Sequence, residues 1–196
     1  MNLVIIKYNA GNIRSVRYAL ERIDVEATVT DDPEVIRSAD KVIFPGVGEA
    51  SSAMQYLRER KLDAVIRELK QPVLGICVGM QLLCRHSEEN DTPCLGVFDV
   101  AVKKFPPAGG KVPQIGWNNI HDLRSPLFEG IPENAFVYFV HSYYVEKSAD
   151  TAATADYGLA YSAAIQRDNF YAVQFHAEKS AEIGSAILAN FISKIS

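Results

Sequence analysis

The sequence predicts an α/β fold: a parallel sheet with helices on both faces, extended by antiparallel strands. Three observations carry this expectation. The first 90 residues alternate between short apolar, β-branched runs and stretches whose apolar residues recur at helical spacing, the pattern of a sheet wound by helices. Those apolar runs are continuous, as strands buried on both faces require. Past residue 96 helical spacing gives way to strand-like segments, which read as the antiparallel part.

The elements follow in order. "LVIIK" (3–7) is the first strand, and the turn-like "YNAGN" leads into "IRSVRYALERI", where Ile13, Val16, Ala19, Leu20 and Ile23 recur at helical spacing. "VEATVT" (25–30) alternates as a strand does, and "DDPEVIRSA" offers an Asp N-cap with Pro at the start of a helix. "KVIFPG" (41–46) is a strand running into a Gly-rich turn. Residues 50–70 carry helical patterning, "PVLGI" (72–76) is a short buried strand, and a helix is expected over 79–87. "GVFDVAVKKF", "FVYFVHSYYVE", "TAATA" and "YSAAIQRDNFYAVQFH" are strand-like, with "RDN" as a hairpin turn in the last. "AEIGSAILANFISKI" closes the pattern as a helix. Residues 1–196 show no repeat, low-complexity tract or linker, so one domain is expected.

The gross composition excludes several classes. The 196 residues are 48% hydrophobic and 22% charged, with a net charge of −4, which gives no reason to expect nucleic acid or an anionic membrane as partner. The apolar run "LVII" is too short for a signal peptide or a membrane span. Three cysteines fit reduced thiols, so a soluble, cytoplasmic protein is expected.

Chemistry concentrates at "PVLGICVGMQLL" (72–83). Gly75-Ile76-Cys77-Val78-Gly79 has the small-x-nucleophile-x-small form of a strand-to-helix elbow, with Cys where esterases carry Ser. The turn is tight, and a Cβ at either glycine would collide with the neighbouring strand or helix. The helix start favours a thiolate at Cys77, and the Val78 N–H is placed for one arm of an oxyanion hole. A small buried hydrophobe fits the same position. Cys77, Cys84, Cys94 and His86 lack the C-x2-4-C spacing of a zinc site; no metal or cofactor is expected.

A thiol nucleophile needs a base and an orienting group. His86 and His121 read as surface residues. His141 follows "FVYFV", and His176 ends "YAVQF" with Glu178 two residues on. Each histidine alone fits a hydrogen-bonded structural role. Cys77 and His176 meet only if their strands end at the same sheet edge.

"GICVGMQLL" with "QFHAEKS" resembles the class I, triad-type glutamine amidotransferase family, whose motifs are G-x-C-x-G-x-Q and H-P-E. The resemblance runs over the whole chain through "PGVG" and "HSYY". One departure is Ala177 in place of the family's Pro, which loosens the loop but deletes no catalytic group. The resemblance implies a flavodoxin-like sheet, catalytic Cys77, His176 and Glu178, and an oxyanion hole from the N–H groups of Val47 and Val78. It also implies glutamine contacts from Gly48, Gln81, Glu89, Ser142 and Tyr143.

"YNAGN", "PGVGEA", "PQIGWN" and "YFVHSYY" are similar to the branch serving as glutaminase subunit of imidazole glycerol phosphate synthase, in histidine biosynthesis; the Asn9 of "YNAGN" is a small departure. The length suits a stand-alone subunit. That branch implies a heterodimer with a (β/α)8-barrel cyclase subunit, with Trp117 and Lys179 near the interface. Rival readings are an anthranilate- or aminodeoxychorismate-type subunit, a partner-free γ-glutamyl hydrolase, and a binding module in which Ala177 marks decay.

Overall fold

The computed structural model describes residues 1–9, 12–107 and 110–195. Five parallel strands form its spine: β1 (Leu3–Ile6), β2 (Thr28–Thr30), β3 (Lys41–Phe44), β4 (Val73–Ile76) and β13 (Phe170–Val173), in the order β2-β1-β3-β4-β13. All but the edge strand β2 are buried at every residue, which is why their sequences read as apolar runs, broken only by Lys41, whose Nζ donates to Phe191 O. From β13 the sheet continues antiparallel through β12 (Ala160–Arg167) and β10 (Tyr143–Val145) to β7 (Phe98–Lys104), with β11 (Thr151–Asp156) also pairing β12. A separate antiparallel pair joins β8 (Gln114–Ile120) to β9 (Ala135–His141). In β7 and β9 buried and exposed residues alternate, the period of a strand with one face covered.

Local chemistry explains the helices. α1 (Ile13–Glu21) buries Val16, Ala19 and Leu20. α2 (Pro33–Arg37) starts as expected, with Pro33 at its first position and Asp32 accepting the N–H groups of Glu34 and Val35. The helical stretch expected over 50–70 is two helices, α3 (Ala50–Glu59) and α4 (Leu62–Glu68), because Lys61 turns left-handed at φ 57° between them. Asp168 turns the β12–β13 hairpin at φ 51°. α6 (Ala181–Ser193) packs Ile187, Leu188 and Phe191 into the core.

One expectation is corrected. The helix after Cys77 is α5 (Val78–Leu83), not 79–87. Residues Cys84–Ser87 form β5, paired parallel with β7 and antiparallel with β6 (Thr92–Pro93). Tertiary pairing overrides the local helical pattern there. Cys84 and His86 therefore lie on a strand, with His86 bonded to Asp91 at 2.8 Å. Among the described residues, no helix is long and apolar enough to cross a membrane.

Candidate active site

The strand order answers the question left by the sequence. β4 and β13 are neighbours and parallel, with Ile76 opposite Val173, so the residues that follow them emerge at one carboxyl edge, where α/β sheets place ligands. Cys77 bonds back through its N–H to Val173 O at 2.8 Å. It stands at φ 53°, ψ −109°, strained backbone for a side chain with a Cβ. The two glycines make that turn possible. A Cβ on Gly79 would sit inside the Phe44 carbonyl, and one on Gly75 would lie 2.9 Å from Leu83 Cδ1.

His176 lies just past β13, its N–H tied to Tyr138 O at 2.9 Å. The 3-10 turn Ala177–Lys179 brings Glu178 back beneath it, and Glu178 Oε1 accepts from His176 Nδ1 at 2.8 Å. Both side chains are almost wholly withdrawn from solvent. Burial opposes a charged imidazole, but the bonds and charges of Cys77 and Glu178 outweigh it and raise His176 to about 10. Burial likewise opposes the Glu178 carboxylate, and the bonds from His176 and Asn12 still hold its pKa below the ordinary value. With Nδ1 engaged, Nε2 is the nitrogen available to Cys77.

A cavity of about 330 Å³ opens over Cys77. It is lined by Val47, Gly48, Val78, Gln81, Glu89, Ser142, Tyr143, His176 and Lys179, so the residues expected to bind substrate are gathered around the thiol. Gln81 Nε2 donates to Tyr143 O and to Gln174 Oε1, each at 3.0 Å. Glu89 Oε2 accepts the Ala50 N–H at 2.7 Å, and burial first, then Glu49, raises its pKa despite that bond. Trp117 stands apart from the cavity, half exposed on β8 and packed edge-on against Tyr138 at 5.8 Å.

The Val78 N–H, expected to stabilise an oxyanion, donates to Gly46 O at 3.3 Å. Tyr8 Oη donates to the adjoining Pro45 carbonyl. The segment before Val47 is thus held at two points, while Gly48 sits at φ 111°.

Two residues around the site, Gln174 and Asn12, escaped the sequence reading, and a third, His141, was weighed there only as a strand-end histidine. Gln174 presents Nε2 to Cys77 Sγ at 3.8 Å; its place in "QFHAEKS" was the available signal. His141 lines the cavity, buried, with Nδ1 on Tyr143 O at 2.7 Å. Burial lowers it to about 4, so it is neutral and unsuited to hold a proton near pH 7. Asn12, in the unassigned "YNAGN" motif, touches Glu178; Ala10 and Gly11 of that motif lie outside the described residues. His121 pairs with Asp156 at 2.7 Å, away from the cavity.

A family model described as "Glutamine amidotransferase class-I" matches residues 4–195. The chain is 59% identical to an imidazole glycerol phosphate synthase subunit HisH of Bacteroides fragilis, over 98% of this chain and 99% of that one. It is 44% identical to the subunit of the same name from Haemophilus influenzae, over 100% and 98%. A solved structure described as a glutamine amidotransferase superposes with a TM-score of 0.75 at 20% identity, over 96% of each chain.

Proposed function

The chain belongs to the class-I glutamine amidotransferase family and, within it, to the HisH subunits of imidazole glycerol phosphate synthase, and from that premise we propose that it hydrolyses glutamine at Cys77 and passes the ammonia to a cyclase subunit in histidine biosynthesis. The observation that carries this reading is the meeting of Cys77 and His176 at the ends of adjacent parallel strands, with Glu178 behind His176.

The sulfur attacks the side-chain amide carbon of glutamine, forming a C–S bond while the carbonyl electrons move to oxygen. As the tetrahedral intermediate collapses, the imidazolium of His176 gives its Nε2 proton to the departing nitrogen, which leaves as ammonia. The same nitrogen then takes a proton from water, whose oxygen displaces sulfur and frees glutamate. Glu178 holds the ring and balances its charge.

Val78 and Val47 N–H groups stabilise the oxyanion in this reading. The Val78 N–H is committed to Gly46 O, and a missing oxyanion donor costs about 10²- to 10³-fold in rate. The hydrolase therefore idles until the 45–48 segment moves its carbonyl away. Glu89 takes the substrate ammonium, and Gly48, Gln81, Ser142 and Tyr143 shape the rest of the subsite.

A (β/α)8-barrel cyclase docks over the cavity mouth. Ile115, Trp117 and Phe136 are exposed on the β8–β9 pair, whose Val140 lines the cavity, and Lys179 stands at the rim. Exposed aromatics beside a charged rim fit a protein interface.

The test is glutamine hydrolysis by the chain alone, then with the cyclase subunit and its nucleotide substrate, beside Cys77→Ala. Turnover is expected to be low alone, to rise steeply in the complex, and to fall by about 10⁶-fold in the variant. Full activity without a partner contradicts the gating, and an active variant contradicts the site.

A further inference from the structure

We propose that Asn12 is a positioning residue for the catalytic base, a fourth member of the relay that fixes the Glu178 carboxylate so that Glu178 can fix His176. This deepens the glutaminase reading and rests on it.

Asn12 occupies the N-cap position of α1, and its carbonyl accepts the Val16 N–H at 3.0 Å to start the helix. Asn is among the strongest N-cap residues because its side-chain oxygen accepts an N–H of the first turn. Here the side chain makes no such bond. Instead Nδ2 donates to Glu178 Oε1 at 3.0 Å, across 166 positions of sequence. The same oxygen receives His176 Nδ1, so the amide and the imidazole converge on one carboxylate atom.

The residue is spent on that contact at the expense of its other bonds. Asn12 is 3% exposed, and its Oδ1 finds no partner among the described residues. A residue serving the helix alone would use Oδ1 for the cap; leaving a buried acceptor unpaired is costly. Local preference is overridden where function needs it. Because a carboxylate only accepts, the amide must present N–H to it. An uncharged donor steadies Glu178 without adding a cation that would compete with the imidazolium for the same carboxylate. Asn12 does not line the cavity, so its influence runs through Glu178 and not through substrate.

The experiment measures glutamine hydrolysis in the complex with the cyclase subunit for Asn12→Ala and Asn12→Ser. Ser caps a helix as well as Asn does but is too short to reach Glu178. Both variants are expected to lose about tenfold to a hundredfold in kcat, as removal of a bond to a charged group predicts. KM stays unchanged, and the acid limb of the kcat profile moves to higher pH because Glu178 holds its charge less well. In a Glu178→Gln background, Asn12→Ala adds little further loss. Recovery of wild-type kcat in Asn12→Ser, or full additivity with Glu178→Gln, overturns the proposal. A wild-type complex that fails to hydrolyse glutamine overturns the glutaminase reading itself, a separate outcome.

Discussion

Two strand ends carry buried histidines, and they have been driven in opposite directions. His141 closes β9 among Phe105, Phe139 and Tyr161, with ring centroids 5.2 to 5.5 Å away, and its one strong bond goes to a neutral carbonyl. His176 follows β13 with a carboxylate on one side and a thiol on the other. Both are almost fully buried. Burial alone would make both neutral; the ionised partner keeps one charged. The lesson is that a catalytic histidine is distinguished by what its far nitrogen touches and not by how deeply it lies.

The largest effect that would break this contrast comes from Glu178→Gln. Without the carboxylate, the His176 pKa falls and its tautomer is no longer set, so kcat in the complex is expected to drop about 10²- to 10⁴-fold. A loss below tenfold would mean that Glu178 only packs.

His141→Phe sharpens it from the other side. Loss of the bond from His141 leaves Tyr143 O with Gln81 Nε2 as its remaining donor, which costs about 0.5–1.5 kcal/mol and raises KM by loosening the Ser142–Tyr143 wall. The pH limbs of kcat stay in place.

The same variant changes stability against acid. In the wild type, native His141 stays neutral down to about 4 while the unfolded chain takes up a proton near 6.5. Stability is therefore full above about pH 6.5 and falls by about 3 kcal/mol as pH drops towards 4. Urea unfolding across that range should show this slope in the wild type and a flatter one in His141→Phe. For His176 the window is reversed, its contribution being full below about 6.5 and lost as pH rises through about 10.

The smallest effect is expected at Ala177, where the family carries Pro. Ala177 is the first residue of its 3-10 turn, and His176 before it is extended at φ −84°, ψ 94°, which a following Pro favours. Ala177→Pro is expected to add about 0.4–1 kcal/mol in urea unfolding and to leave turnover near wild type, so the departure there is a matter of stiffness. A large loss of activity would show that the loop needs its freedom.

Much of the spine was legible because each signal was local. The apolar runs at 3–6, 42–44 and 73–76 and the Asp32-Pro33 helix start depend on near neighbours alone. The elbow at Cys77 was legible for the same reason. What escaped depends on which strands lie side by side. Cys84–Ser87 became a strand because β7 lies beside it, and no spacing in the sequence announces that partner. The adjacency of β4 and β13 could be required by chemistry but not read from periodicity. Asn12 looks like a helix cap until the turn 177–179 is packed against it. The carboxylate that marks out His176 was legible, since Glu178 lies two residues on, but its thiol partner and the Phe105 and Tyr161 rings around His141 come from distant parts of the chain.

The most direct test is nitrogen NMR of the histidine rings at pH 7, with the two buried residues assigned by His141→Gln and His176→Gln. Both His176 nitrogens are expected to be protonated, and His141 singly protonated with its hydrogen on Nδ1. A neutral His176 at pH 7, or a charged His141, would contradict this.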